Sequence, residues 1–241
     1  RPVRTFTIGF HEPVYNEAQY ARAIAEHLGT DHTELYVTPA ETLAVVPRLP
    51  TLYDEPFADS SQVPTCLLSE LTRRHVTVSL SGDGGDELFG GYDRYFVARR
   101  ISNWLRMVPV RVRSMLAGSL QLVSPQGWDA ALALLGKYAR IEGQPVTGDR
   151  VHKLAGILAC DSDHSVYRSL MSHWRDAESV VIGADSRPSV LTDPSQWAAV
   201  DGLVHWMMFV DLISYLPDDI LVKVDRASMG VSLESRAPYL D

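Results

Sequence analysis

VTVSLSGDGGDELFGGY, residues 76–92, is a short β-branched run that passes directly into a loop rich in glycine and acidic side chains. β-Branched residues are typical of strands, and Val76–Leu80 is therefore predicted to form one. Because this strand ends in small residues, its carboxyl end is left open, and open α/β sheets bind ligands at that end. The run and its loop together predict a ligand-binding edge in an α/β fold.

The segments before this strand alternate between strand and helix patterns. Thr5–Phe10 and His32–Val37 predict strands, and the spacing of apolar residues between Asn16 and Gly29 predicts a helix. Further helices are predicted from Pro39 toward Arg48 and from Val63 to Arg74, with a loop from Tyr53 to Ser61 between them. This alternation predicts a parallel sheet with helices on both faces.

After Tyr92 the chain changes to long amphipathic stretches without a clear strand. The predicted helices are Arg94–Val108, Val110–Leu122, Trp128–Tyr138, Lys153–Ala159 and Trp197–Leu216. Glu178–Ser195 is rich in Gly, Ser, Asp and Pro, which predicts a loop. We therefore divide the sequence into an α/β part at residues 1–92 and a mainly helical part at residues 93–241.

The composition argues against several classes of protein. The 241 residues include 22 Lys and Arg and 30 Asp and Glu, which gives a net charge of −8. This negative charge disfavours nucleic acid as a main partner. The only cysteines, Cys66 and Cys160, support neither a disulfide framework nor a structural zinc site. No run approaches the roughly 20 apolar residues of a membrane span, so we expect no membrane partner and a cytoplasmic location. Because the sequence begins at Arg1 without a methionine, we expect a longer parent protein.

The glycine-rich loop has the composition of a phosphate site. Gly82, Gly84 and Gly85 allow backbone amides to approach an anion closely. Asp83 and Asp86 add two carboxylates, and carboxylates beside phosphates predict a nucleotide bound with Mg²⁺, since the metal offsets their repulsion. The loop lacks the Lys and Ser/Thr of the Walker type, and a surface turn with solvated acids is an equal alternative on spacing alone.

A second motif, YLPDDILVKVDRASM at Tyr215–Met229, carries two basic residues. Asp218 is predicted to cap a helix on which Lys223 and Arg226 lie three positions apart and share a face. Such a pair suits a polyphosphate leaving group. Spacing alone favours the alternative of a solvated helix face with internal ion pairs.

Together the two motifs resemble the synthetase domain of glutamine-dependent asparagine synthetases. The resemblance rests on SLSGDGGDELFGGYDRY at residues 79–95 and YLPDDILVKVDRASMGVSLESRAPYLD at residues 215–241, in that order. It implies an ATP-pyrophosphatase α/β fold, ATP with Mg²⁺, and activation of the aspartate side chain as an acyl-adenylate. Ammonia from a separate glutaminase domain would then displace AMP. The sequence leaves open whether the protein forms a homodimer.

The resemblance assigns nucleotide contacts to this sequence. Ile8 and Gly9, at the end of the first predicted strand, are expected near the adenine. Ser81 and Gly82 are expected to contact the nucleotide through backbone and hydroxyl groups, within the loop that also contains Gly84. Residues 1–92 would accordingly form the nucleotide-binding part of the chain.

The resemblance also assigns catalytic and metal-binding roles. Asp86 corresponds to a magnesium-binding carboxylate. Asp83 stands where asparagine synthetases commonly carry Glu, proposed as a base or as a contact to the intermediate, and its reach is shorter. Lys223 and Arg226 correspond to the basic residues that stabilise departing pyrophosphate, and the sequence leaves open which of them does so.

Some candidates and rival functions stay open. Ser60 and Ser61 are weaker candidates for substrate contact, and Glu234 and Arg236 either orient a substrate or form a buried ion pair. Relatives carry a Ser-Gly-Gly-x-Asp-Ser pyrophosphate loop that this sequence lacks. We therefore expect the 241 residues by themselves to be inactive. One rival is a relative that adenylates another carboxylate, such as a β-lactam synthetase or a natural-product cyclase or amidotransferase. The other is a nucleotide-binding module that has lost catalysis.

Overall fold

The computed structural model describes residues 2–12, 16–135, 140–141, 144–172, 180–183 and 188–241. Its strands are β1 Arg4–Phe10, β2 Asp31–Val37, β3 Val78–Leu80, β4 Arg140–Ile141, β5 Gln144–Pro145 and β6 Glu234–Arg236. Its α-helices are α1 Ala18–Leu28, α2 Pro39–Val45, α3 Leu49–Tyr53, α4 Gln62–Arg73, α5 Gly85–Phe89, α6 Asp93–Arg106, α7 Val110–Gln121, α8 Pro125–Leu135, α9 Gly148–Leu158, α10 Asp163–Met171, α11 Gly202–Ile213 and α12 Val222–Met229. None of the helices within these ranges has the length and apolar character needed to cross a membrane.

The predicted α/β arrangement with parallel strands is confirmed. β1 and β2 pair in parallel, with Thr5 opposite His32 and Gly9 opposite Tyr36. Helix α1 connects them and ends where Gly29 adopts the left-handed conformation, at φ 65°. Glycine tolerates this conformation because it has no Cβ, so the predicted end of the helix is confirmed.

A second parallel pair joins β3 to β6 near the C terminus. Val78 lies opposite Glu234, and Leu80 lies opposite Arg236. The strand β3 is shorter than the predicted Val76–Leu80, and β6 has no apolar alternation that would predict a strand. Glu234 and Arg236 form an ion pair at 2.8 Å, but their side chains are 55% and 62% exposed, so the expectation of a buried pair is wrong.

The chain forms two compact units, Arg1–Phe89 with Asp211–Asp241, and Gly90–Val210. This grouping differs from the sequence division at residue 92. Its physical reason is that β6 pairs with β3 and that α12 packs against α4. The C-terminal motif therefore belongs to the same unit as the glycine-rich loop.

The core of the first unit holds α12 beside the loop that precedes α4. Its buried residues are Val45, Tyr53, Val63, Cys66 and Ala227. Burial of such side chains removes apolar surface from water and is the main stabilising force for this contact. The loop at residues 54–61 is consequently held against the start of α12.

The second unit is mainly helical. One buried cluster contains Tyr95, Tyr167 and Trp206, and a second lies among α6, α7, α9 and α10. The sequence does not predict α10 or the short antiparallel pair β4–β5. Helix α11 begins five residues later than predicted, at Gly202. The predicted end of α8 after Leu135, at residues 136–138, and parts of the predicted loop at 178–195 lie outside the described residues.

The segment before α12 is a wide helical turn and not the start of a capped helix. Residues Leu216–Leu221 form a π-helical segment that runs directly into α12. The backbone N–H of Asp218 donates to the carbonyl of Ser214 at 2.9 Å, so the prediction that Asp218 caps the helix is wrong. Pro217 lies inside this segment, and a proline lacks an N–H and crowds the preceding turn, which a wide turn accommodates.

Candidate active site

A cavity of about 730 Å³ lies in the first unit and is walled by residues of β1, α4, β3 and α12. Besides the weaker candidate Ser61, three sequence-predicted site residues line it, namely Ser81, Asp83 and Lys223. They come from the glycine-rich loop and from α12, which are about 140 positions apart in the sequence. The fold therefore brings parts of both motifs to one cavity, at the carboxyl end of β3.

The ammonium group of Lys223 is held by two side chains from the loop before α4. Its Nζ donates to Asp59 Oδ2 at 2.7 Å and to Ser61 Oγ at 2.8 Å. The side chains of Lys223 and Asp59 are only 11% and 18% exposed. Burial alone would raise the pKa of Asp59, but hydrogen bonds from Lys223 and Ser61 outweigh it and hold that pKa below its ordinary value.

Arg226 lies in a different environment, although it is on the same helix. Its Nη1 donates to Asp54 Oδ2 at 2.9 Å, and the two side chains are 48% and 71% exposed. Arg226 does not line the cavity that Lys223 lines. The structure thus separates the two basic residues that the sequence treats as a pair.

The glycine-rich loop has an open side and a crowded side. A Cβ added at Gly82 would meet no atom within 4 Å, so there is room beside this backbone. Gly84 has φ 85°, and a Cβ there would lie 2.6 Å from a methyl group of Leu240. Gly84 is therefore required by its conformation and by the C-terminal segment packed on it.

Ser81 offers its hydroxyl more readily than its backbone. Its N–H donates to the carbonyl of Arg236 at 2.8 Å, which continues the β3–β6 pairing. The hydroxyl makes a longer hydrogen bond of 3.4 Å to the same carbonyl. Because the backbone N–H already has a partner, a ligand contact from Ser81 would come from the hydroxyl.

Asp86 and Asp83 differ in position. Asp86 lies in the first turn of α5 with an exposed side chain and does not line the main cavity. Asp83 lines the main cavity and an adjoining one of about 300 Å³, to which Asp225 and Asp241 also contribute. Within the described residues, no group of three or more His, Cys, Asp or Glu is placed to hold a metal ion. Mg²⁺ in nucleotide sites uses one or two carboxylates with phosphate oxygens and water. Of the two predicted carboxylates, Asp83 is the one that lines the cavity.

Ile8 and Gly9 lie in the second half of β1, whereas the cavity wall uses the first half of that strand. Gly9 is buried, and a Cβ there would lie 2.9 Å from the ring of Tyr36 and 3.0 Å from the Cβ of Ala18. Close packing of β1 against β2 and α1 accounts for this glycine. The structure does not bring the predicted adenine contacts to the cavity.

Asp59 is the residue of this site that the sequence analysis misses, whereas Ser61 is among its weaker candidates. The Asp-Ser-Ser sequence before α4 carries a local signal, because Asp59 Oδ1 accepts the N–H of Ser61 at 2.8 Å in a turn. That signal predicts a turn and gives no indication of a lysine 164 positions away.

Comparison with known proteins identifies the family. The sequence profile of asparagine synthases matches residues 1–241. The chain belongs to the asparagine synthase family. It is 30% identical over 239 residues to asparagine synthetase [glutamine-hydrolyzing] 1 of Bacillus subtilis, covering 99% of this chain and 35% of that protein. It is 33% identical over 239 residues to a putative asparagine synthetase [glutamine-hydrolyzing] of Mycobacterium tuberculosis, covering 98% of this chain and 33% of that protein.

A third relative matches a shorter stretch. It is a putative asparagine synthetase [glutamine-hydrolyzing] 2 of Methanocaldococcus jannaschii, 39% identical over 111 residues, which cover 46% of this chain and 21% of that protein. The chain spans about a third of the length of the first two relatives.

Proposed function

We propose that this member of the asparagine synthase family takes part in ATP-dependent conversion of aspartate to asparagine. The observation that carries the proposal is the single cavity lined by Ser81, Asp83 and Lys223. It places a hydroxyl, a carboxylate and an ammonium group beside a glycine loop with open space at Gly82. ATP and an amino-acid carboxylate are both anions, and a site that joins them needs groups of this kind.

The proposed chemistry has two steps. An oxygen of the aspartate side-chain carboxylate bonds to the α-phosphorus of ATP, and the bond from that phosphorus to pyrophosphate breaks. Ammonia then bonds to the acyl carbon, AMP leaves with its oxygen, and the nitrogen loses a proton. We propose glutamine as the source of this ammonia, because the relatives are named as glutamine-hydrolyzing. A carboxylate is a poor electrophile, and adenylation supplies the leaving group that the second step requires.

The residues of the cavity suit the first step. Negative charge accumulates on pyrophosphate as it leaves, and a fixed ammonium group stabilises that charge. Lys223 is enclosed, held by two partners and part of the wall, so we assign this role to Lys223 in preference to Arg226. Asp83 would contact the substrate or intermediate. Mg²⁺ would offset the repulsion between carboxylates and phosphates, with Asp86 proposed as a ligand on the motif match.

We further propose that the 241 residues by themselves do not complete the reaction. The pyrophosphate loop expected from the resemblance is not in this sequence. Within the described residues, β1 and β3 each pair with one strand only, and both line the cavity. The function, with its glutamine-derived ammonia and its cytoplasmic location, is therefore proposed for the complete natural polypeptide.

Pyrophosphate release by that polypeptide tests the function. With ATP and Mg²⁺, release should require L-aspartate among a panel of carboxylic acids and fall at least about 100-fold in Asp86→Ala. Glu26→Ala removes an exposed acid from α1 and is the matched control. Release with a different acid would identify a rival ligase of the same family, and no release with any acid would favour a nucleotide-binding module without catalysis.

A further inference from the structure

Lys223 and Asp59 form an enclosed ion pair, with side chains that are only 11% and 18% exposed. Several other ion pairs among the described residues contain a side chain that is about half exposed or more. An enclosed ammonium group loses its hydration and needs an anion to stay favourable in charged form. Asp59 supplies that anion for Lys223.

Three hydrogen bonds fix the carboxylate of Asp59. Its Oδ2 accepts from Lys223 Nζ at 2.7 Å and from Ser61 Oγ at 2.7 Å, and its Oδ1 accepts the backbone N–H of Ser61 at 2.8 Å. The Ser61 hydroxyl oxygen also accepts from Lys223 Nζ. Lys223, Asp59 and Ser61 therefore form a closed triangle that restricts the rotamers of all three side chains.

The same stretch of chain also holds the backbone of Lys223. The hydroxyl of Tyr53 donates to the carbonyl oxygen of Lys223 at 3.2 Å. Tyr53 begins the segment that ends at Ser61, so residues 53–61 hold both the backbone and the ammonium end of one lysine. A lysine side chain has several rotatable bonds, and fixing both ends is what keeps its charge at one place on the cavity wall.

The triangle leaves part of the ammonium group free for a ligand. An ammonium group has three N–H donors, and the described residues accept two of them from Lys223. Lys223 is a wall residue of the cavity together with Ser61, Ser81 and Asp83. A phosphate oxygen in that cavity could accept the third N–H without breaking the bonds to Asp59 and Ser61.

We propose that Asp59 is a positioning residue that holds the Lys223 ammonium group, charged and fixed, where pyrophosphate leaves. This inference rests on the proposed function. Asp59 acts through Lys223 and need not touch the substrate, and Ser61 shares the task by bonding to both.

A double-mutant cycle in the complete natural polypeptide tests the proposal. We expect Asp59→Asn to lower kcat for aspartate-dependent pyrophosphate release about 10-fold or more, with KM for aspartate changed less than about twofold, because the loss acts on the leaving group. In a Lys223→Met background, Asp59→Asn should lower kcat by less than about a further twofold. Glu55→Gln, an exposed acid in the same loop, is the matched control.

Each outcome has a defined meaning. Wild-type kcat in Asp59→Asn with loss of activity in Lys223→Met would overturn the positioning role and leave the proposed function standing. A faster Asp59→Asn enzyme would also overturn it, since the carboxylate would then compete with phosphate for Lys223. Equal losses with and without Lys223 would assign Asp59 a structural role only.

Failure of the proposed function gives a separate result. Wild-type release in Lys223→Met would remove the role of Lys223 and this inference with it, and absence of release in the wild type would remove the function itself. Circular dichroism shows whether each variant is folded. Should Asp59→Asn not fold, Ser61→Ala removes one partner of Lys223, and we expect it to lower kcat about threefold with KM unchanged, whereas an unchanged kcat would overturn the proposal.

Discussion

The hydroxyl of Tyr53 donates a hydrogen bond of 3.2 Å to the backbone carbonyl of Lys223, 170 positions along the chain. Tyr53 is buried and stacks on Phe57, with ring centroids 4.9 Å apart. Burial raises the pKa of the Tyr53 hydroxyl above its ordinary value, so it stays protonated and able to donate. One side chain thus connects the core of the first unit to the helix that carries the candidate catalytic lysine.

Replacing Tyr53 by Phe should weaken this connection without opening a cavity. We expect the free energy of unfolding to fall by about 1 kcal/mol, the usual net contribution of a neutral hydrogen bond. Urea denaturation of the variant and the wild type measures it. Tyr20→Phe, at a side chain that is 66% exposed on α1, should change the free energy by much less, and an equal loss in both would contradict the role of the Tyr53 hydroxyl.

Acid should destabilise the first unit partly through Asp59. The pKa of Asp59 lies below its ordinary value of 3.8, because the bonds from Lys223 and Ser61 outweigh burial. Its contribution to stability is complete above that ordinary value and is lost as the pH falls through the lower pKa of the folded state. We therefore expect the free energy of unfolding to decrease between about pH 5 and pH 2, and to decrease less in Asp59→Asn.

The control for this pH effect is Asp54→Asn. Asp54 also pairs with a basic residue of α12, but its side chain is 71% exposed. Exposed ion pairs contribute little to stability, so the urea midpoints of this variant should follow the wild type across the same pH range. A pH dependence in Asp59→Asn identical to that of the wild type would show that Asp59 does not contribute to acid sensitivity.

A methyl group at Gly84 should be costly for two separable reasons. Gly84 and Gly29 both have positive φ, at 85° and 65°, which costs an alanine about 1–2 kcal/mol at either position. Only at Gly84 would the new Cβ also collide, at 2.6 Å from Leu240. Urea denaturation should show a loss of about 1 kcal/mol for Gly29→Ala and about 2–3 kcal/mol for Gly84→Ala. Equal losses would mean that the Leu240 side chain moves away from the new Cβ without lowering the free energy of unfolding.

The sequence predicts the elements that have strong local signals. The β-branched run of β1, the spacing of α1 and the left-handed Gly29 are all visible locally, and the structure confirms them. The sequence also identifies the two motifs that meet at the cavity, because their glycine, acidic and basic residues are unusual in composition. It does not show that the motifs meet, since this depends on pairing of β3 with β6 over about 155 positions.

The misses have two physical causes. The strand β6 is too short and polar to show alternation, and Asp59 is recognisable only through a partner far along the chain, so long-range contacts decide both features. The wide turn departs from ordinary helical spacing at Pro217, which is a local effect of the proline. Local patterns also could not show that Lys223 is enclosed and Arg226 exposed. Helical spacing places both residues on one helix, whereas their burial depends on the segments that pack against that helix.

The contrast between Lys223 and Arg226 gives a direct prediction for activity. Lys223→Met should lower aspartate-dependent pyrophosphate release about 100- to 1,000-fold, the usual effect of removing one fixed donor from a charged transition state. Arg226→Met removes an exposed residue whose partner Asp54 is also exposed, so the decrease should be at most about threefold, with less than about 1 kcal/mol lost in stability. Steady-state release by both variants, with circular dichroism as the check on folding, measures the contrast. A larger loss in Arg226→Met than in Lys223→Met would move the pyrophosphate contact to the exposed arginine and reverse the assignment.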